Sequence, residues 1–487
     1  MAHEVAHVVQ QEHAGARVQC YEAGEHAELG NSKDELLKKL YLKYPPEKYV
    51  VQPNDTMGSI AKKFQITKIL LFFANRSKVR LVPNRAVLNF EVGESIDIPR
   101  FPNEMAEALL ALPGGNFTTA NGVSLRYGDG IAMGDFFADP DYSAKIGGSK
   151  AASAEEVGGL KTLITLEQAG EKVTNKDWED ATTNNRYTEL VEVNSRHFAP
   201  PNKFVETGTT TGENHKRAWE EHHKSALQLS QKGEKDKALQ VNSFGDHFLT
   251  DAFAAGHLFN KEDMMAKVHK IFNKYKGREL AAEFVKFFDD VAAMAFTGAT
   301  ADAFKRYETV DTIAGGHWEI DSPFMLSKLM QGVLKERPAV IENSFVLAIH
   351  NYLNGLGDNL YTKLTGTEGG LPVKNAYGQR WSLSGDGTLN RQTMAVAKAA
   401  VAQSQMNLIN AYRTTLELQY KELFKLVWDY TPIPDEKGSA YLEGVIASFT
   451  DVTNPHLHRA FADIIQKDHQ TILEKLVDEN RLRLIPE

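Results

Sequence analysis

Apolar residues recur every three or four positions through 155–170, 215–256, 277–296, 322–356, 391–428 and 436–480. That spacing predicts a succession of amphipathic α-helices, so a mainly α chain with one helical domain is expected over 101–487. Gly- and Thr-rich pieces, ETGTTTGEN at 206–214 and TGTEGGLPVKNAYGQRW at 365–381, interrupt the pattern and read as loops. The period changes nearer the start. In YVVQPNDTMGSIAKKFQITKILLFFAN a short β-prone stretch leads to Asn54-Asp55-Thr56, which can cap a helix running to Lys63. A second helix is expected over about 67–75 and a returning strand in VGESIDIP at 92–99, which together predict a small α+β unit over 48–100. Residues 1–47 hold a short helical pattern and then a charged linker that ends at Tyr44-Pro45-Pro46.

The candidate chemistry is concentrated in SFGDHFLTDAFAAGHLFN, residues 243–260. His247 and Asp251 are four apart and share a helix face, so an imidazole and a carboxylate can close on one cation. His257 follows six residues later, too far along an unbroken helix to join the same ion. With Gly256 positioned to end or bend the helix, a second metal at His257 is the expectation, as in two-metal hydrolases. The apolar residues between these side chains matter too, because a His and an Asp set into an apolar segment need partners. Upstream, GDGIAMGDFFADPD contributes Asp129 and Asp135, and NSRHFAPPN contributes His197, as further donors for the first ion.

Composition narrows the field. A net charge of −9 gives no basic footprint for nucleic acid, and 42% hydrophobic residues over 487 positions support a sizeable core. Cys20 is the only cysteine, which removes intramolecular disulfides and multi-cysteine metal sites and leaves His, Asp, Glu and Asn as ligands. The first residues carry neither the basic start nor the apolar core of a secretory leader, and no run of eighteen apolar residues occurs. A soluble protein that leaves its cell through a specialised injection apparatus is the expectation. There is no GxSxG elbow and no Walker-type phosphate loop.

Three resemblances follow from these residues. AHEVAHVVQQ, with His3, Glu4 and His7, resembles the end of a small HExxH domain found at the front of bacterial toxins and injected effectors. Val51, Asp55, Thr56, Ile60, Ala61, Ile66, Leu70, Asn75, Gly93, Ile96 and Pro99 closely resemble a LysM domain, which implies binding of N-acetylglucosamine-containing glycans, or alternatively docking onto a component of an injection machine. The signature HxxxDxxxxxH at His247, Asp251 and His257 resembles the zinc-dependent phospholipase C family and its relative, the single-strand-specific nuclease, which share an α-helical fold and a three-zinc cluster.

Carried over residue by residue, the last resemblance implies that His247, Asp251, His197 and Asp135, with Asp129 as the alternative carboxylate, hold the first zinc. It implies that His257 and His350, with Asn354 where the family has a carboxylate, hold another. His269 with Asn273 and His317 with Asp321 are rival pairs at that spacing, and Asp358 or Asp386 could replace Asn354. Classical members use their processed amino terminus as a ligand; with about a hundred residues ahead of the helical domain, a third ion is expected to be absent or to lean on Asp251 and His215. Two or three zinc ions, Asp135 and Asp251 as catalytic carboxylates, and a phospholipid or membrane-surface substrate flanked by Phe136, Phe137, Phe198, Phe248, Phe253 and Phe259 are what it implies. A nuclease on the same scaffold and a non-catalytic glycan- or machine-binding protein are the alternatives.

Overall fold

The computed structural model describes residues 23–30, 44–64, 87–100, 116–143, 151–173, 175–182, 194–200, 212–273, 280–310, 317–355, 370–385, 389–478 and 480–485, with isolated positions elsewhere. His3, Glu4, His7, Asp358 and Asp386 lie outside the described residues. The chain is mainly helical, with a few two- and three-stranded sheets.

Helix α1 (Ala23–Gly30) comes first. The α+β unit follows. Strand β1 (Glu47–Val50) pairs antiparallel with β2 (Ser95–Ile98), Glu47 opposite Ile98, and α2 (Met57–Lys63) lies between them in sequence. Thr56 and Ser59 close a capping box at the start of α2, satisfying amides that a helix end leaves orphaned. Val51, Ile60, Ala61, Leu71, Phe90, Ile96 and Ile98 make a core of their own. The Asn75 amide donates to the Asp97 carbonyl at 2.7 Å and accepts from the Asp97 amide at 2.6 Å, tying it to the edge of β2.

Beyond it, α3 (Tyr127–Ala132), α4 (His215–Gln231) and α5 (Lys235–Asp251) begin the helical body. Asn214 caps α4 by accepting from the Arg217 amide at 3.0 Å. Gly233, at φ 77°, makes the reversal that lets α5 pack back along α4. The helical pattern over 215–256 therefore divides in two, and the second helix stops at Asp251. The pattern over 322–356 divides as well, into α6 (Pro323–Glu336) and α7 (Pro338–Asn354), because Pro338 cannot continue the hydrogen-bond ladder of α6. Strands β3 (Leu371–Lys374) and β4 (Arg380–Leu383) form a hairpin where a loop is expected from composition. Helix α8 (Arg391–Ala411) then packs against α4 and α5, capped by Asn390.

Every residue of α5 from Ala238 to Asp251 is buried, so its polar side chains must find partners inside. Asp246 accepts from Tyr127 Oη at 2.7 Å, Trp219 Nε1 at 2.9 Å and Ser404 Oγ at 2.7 Å, one donor each from α3, α4 and α8. The Asn242 carbonyl stands 2.6 Å from His223 Nδ1. These bonds fix the rotation of α5, and that rotation decides where the next residue, His247, points.

Helix α1 belongs to the same core: Ala27 and Leu29 are buried in it, and Gly30 lies so close to Gly128 that a Cβ there would sit 2.6 Å from the Gly128 Cα. The amino-terminal piece expected over 1–47 thus contributes part of the helical body. Among the described residues no helix is long and apolar enough to cross a membrane.

Candidate metal centre

The last turn of α5 presents His247 and Asp251 side by side, with His247 Nε2 3.7 Å from Asp251 Oδ2. Two other segments meet them. The short turn Met133–Asp135 brings Asp135 Oδ1 to 3.6 Å from His247 Nε2, an approach possible because Gly134 lies flat on the imidazole and a Cβ there would collide with the ring. The turn Asn194–His197 brings His197 Nδ1 to 3.1 Å from His247 Nε2 and 2.9 Å from Asp251 Oδ2.

α1 supplies a further donor. His26 Nε2 stands 3.9 Å from Asp135 Oδ2 and 4.0 Å from Asp251 Oδ1, with its ring 4.7 Å from that of His247. Two overlapping groups, His26–His247–Asp251 and Asp135–His197–His247, have donor atoms close enough together to hold a cation. Their spacing fits one: two ligand atoms on a tetrahedral zinc stand about 3.3 Å apart.

A second convergence lies alongside. After Asp251 the chain leaves the helix, and His257 sits on the turn Ala255–His257. The segment after His197 is laced to this turn by the Ala199 amide donating to the His257 carbonyl at 2.8 Å and by Asn260 Nδ2 donating to the Ala199 carbonyl at 2.8 Å. His257 Nδ1 is 2.9 Å from the His197 carbonyl, which can only accept, so Nδ1 carries the proton and Nε2 presents its lone pair. That lone pair faces His350 Nε2, on α7, at 3.3 Å. Asn354, one turn further on, accepts from the Gly256 amide through Oδ1 at 2.7 Å and places its Nδ2 3.2 Å from His350 Nε2. Gly256 is required here, since a Cβ would strike the Asn354 amide.

Electrostatics set the protonation states. Burial depresses the His247 pKa well below its ordinary value, with the Asp251 charge opposing. Burial alone would raise Asp251, but His247, His197 and His257 outweigh it and hold the carboxyl well below its usual range. A neutral imidazole beside an ionised carboxylate is the form a cation needs. His215 is pushed down to about 3 by burial against the pull of Asp251, and is neutral.

Other expected residues lie elsewhere. Asp129 is buried, but it accepts from the Arg126 amide at 2.9 Å and from Arg126 Nη2 at 2.6 Å, closing the first turn of α3 outside both donor groups. His215 is in neither group; its ring lies 5.5 Å from Trp428 and its amide donates to the Phe198 carbonyl at 2.9 Å. Of the rival pairs, His269 meets Glu342 at 2.7 Å, while His317 and Asp321 are exposed. The six phenylalanines that flank the donors are all buried, so they form the packing around the centre and not an open rim. His26, which the sequence offers with Glu22, Glu25 and Glu28 as a third ligand for the HExxH of His3 and His7, stands at this centre; the small residues Ala23, Gly24, Ala27 and Gly30 are the signal of close packing that could have placed it here.

No protein-family model matches this chain, and neither the curated proteins nor the solved structures hold a match to it.

Proposed function

We propose that the chain is a zinc-dependent phosphodiester hydrolase of the phospholipase C type, with phospholipids as its substrates. The observation that carries this reading is the spacing of imidazole nitrogens, 3.1 Å between His197 and His247 and 3.3 Å between His257 and His350, each matching one edge of a tetrahedral zinc site. Zinc fits the donor set, which is imidazole and carboxylate without thiolate. When bound, such ions supply Lewis acidity toward phosphoryl oxygens and activate water near neutral pH.

The chain's own groups do the rest. His197, His247, Asp135 and Asp251 grip one ion, and His26 adds a donor on the Asp251 side. His257 and His350 would hold another, while Asn354, whose oxygen accepts from Gly256 and whose amide nitrogen faces His350, offers that ion no ligand atom in this rotamer. Asp135 and His197 keep 15% and 17% of their side chains exposed, whereas His247 and Asp251 are closed off. Substrate therefore approaches past Asp135 and His197, and the Asp135 carboxylate is placed to take a proton from attacking water. The alternative carboxylate, Asp129, is occupied by Arg126. The net charge of −9 favours a lipid phosphodiester over nucleic acid.

The unit over 48–100 supplies targeting in this reading. It is a LysM-like module for an N-acetylglucosamine-containing glycan or an injection-machine component, and delivery is by injection. The paired β1 and β2 and the capped α2 support that assignment.

The test combines metal analysis with a substrate panel. The expected result is two or three zinc ions per chain and release of diacylglycerol from phosphatidylcholine, both lost in His247→Ala and Asp251→Ala. Less than one zinc per chain, or full activity in both variants, overturns the proposal. Cleavage of single-stranded DNA without cleavage of phosphatidylcholine replaces it with a nuclease.

A further inference from the structure

The described surface carries a patch whose chemistry is out of keeping with an acidic chain. Along α6, Phe324, Lys328, Gln331, Gly332 and Lys335 recur at helical spacing and form a stripe about 16 Å long. Trp318, on the segment that leads into α6, completes an open groove with them. Phe324 is 61% exposed and Trp318 52%, although aromatic side chains of that size usually find cover. Gly332 and Gln331 are buried and make the floor.

The charges on this stripe are basic. The Lys328 ammonium hangs 5.3 Å from the Phe324 ring, and among the described residues neither Lys328 nor Lys335 is paired with a carboxylate. Glu336, next to Lys335, is taken up by Arg481. Glu319 and Asp321, both exposed, follow Trp318 in sequence and are the acids nearest to it along the chain.

We propose that this stripe is a docking surface for an anionic phospholipid bilayer. A bilayer presents negative headgroups for two ammonium groups and, a few ångströms deeper, an apolar layer for an indole and a phenyl ring, which is the order of chemistry found here. Duplex nucleic acid offers the charge without the apolar layer, whereas a single strand stacks its bases on such rings and is the competing outcome of the test below. The inference rests on the phospholipid reading of the metal centre and adds the partner on which that centre works.

Co-sedimentation of the full chain with phosphatidylcholine vesicles containing one-fifth phosphatidylglycerol tests it. The unaltered chain is expected to partition onto these vesicles and to be released by salt. Lys328→Gln with Lys335→Gln weakens partition about 30-fold at low salt. Trp318→Ala with Phe324→Ala weakens it on pure phosphatidylcholine vesicles as well. Zinc content and turnover of a water-soluble p-nitrophenyl phosphodiester stay unchanged in all variants. Equal partition of variants and parent, or no partition of the parent, overturns the proposal, as does single-stranded DNA binding through these residues without vesicle binding. If no form cleaves the soluble phosphodiester while partition still follows the substitutions, the docking surface stands and the hydrolase reading falls.

Discussion

Asp251 Oδ1 lies 4.0 Å from His26 Nε2, although the whole strand-and-helix unit separates the two residues along the chain. His26 is fully buried, and a histidine set there adds a donor to an ion that His247 and Asp251 share. His26→Ala is expected to weaken zinc binding by at least the factor of about 10–100 seen when a supporting partner of a metal ligand is lost. Competition with a chelator of known affinity measures it; unchanged affinity would place His26 among packing residues.

Gly134 sets the distance between Asp135 and His247. In Gly134→Ala the new methyl group meets the His247 ring, so the turn must back away and carry Asp135 with it. The expected cost is about 1–3 kcal/mol of stability, as for overpacking, together with loss of activity beyond what unfolding accounts for. Denaturant midpoints and turnover of the folded fraction separate the two effects.

Asn354 provides a test of the second ion. Asn354→Asp keeps an acceptor for the Gly256 amide and presents a carboxylate beside His350. Tighter binding of one zinc equivalent is expected from it by calorimetry, while Asn354→Ala is expected to bind that equivalent more loosely and to destabilise the turn that carries His257. If zinc stoichiometry and affinity are the same in both variants, no ion sits between His257 and His350.

Two of the buried titratable groups make contributions of opposite sign to the pH dependence of the metal-free fold. Burial pushes His223 down from 6.5 to about 4, against the hydrogen bond with Asn242, so the unfolded chain takes up this proton first. Its contribution is complete above the unfolded value and is lost as pH falls toward 4. Burial pushes Asp246 up from 3.8 to about 7, against its donors Tyr127, Ser404 and Trp219. Its contribution is complete below the unfolded value and is lost as pH rises through 7. The two slopes oppose each other between pH 4 and 6.5. In Asp246→Asn the opposing slope disappears, so stability should climb more steeply with pH over that window in urea titrations; an unchanged slope would show that Asp246 does not titrate there.

Local pattern made the helices legible, and with them the shared face of His247 and Asp251, because a period of 3.6 is written into every turn. The breaks at Gly233 and Pro338 are passed over by periodicity, because the apolar spacing runs on across them. The hairpin of β3 and β4 was hidden because each strand spends only two residues on the core, Leu371 and Val373 against Trp381 and Leu383, too few to show an alternation. Asp129 and Asp135 look alike in sequence; Arg126, three residues before the first, is what separates them, through a contact local to the first turn of α3. Nothing in the local pattern tied His26 to this centre. Its helix is eight residues long and its partners lie far along the chain.

The contact between Gly30 and Gly128 gives the front module two points of attachment. Residues 47–98 leave the helical body after α1 and return before α3, so the module is an excursion within that body and not a leading appendage. A protease that cuts once inside the excursion leaves a nicked molecule whose two fragments still grip each other through α1. The first fragment keeps His26 beside Asp251, and only a second cut sets the module loose.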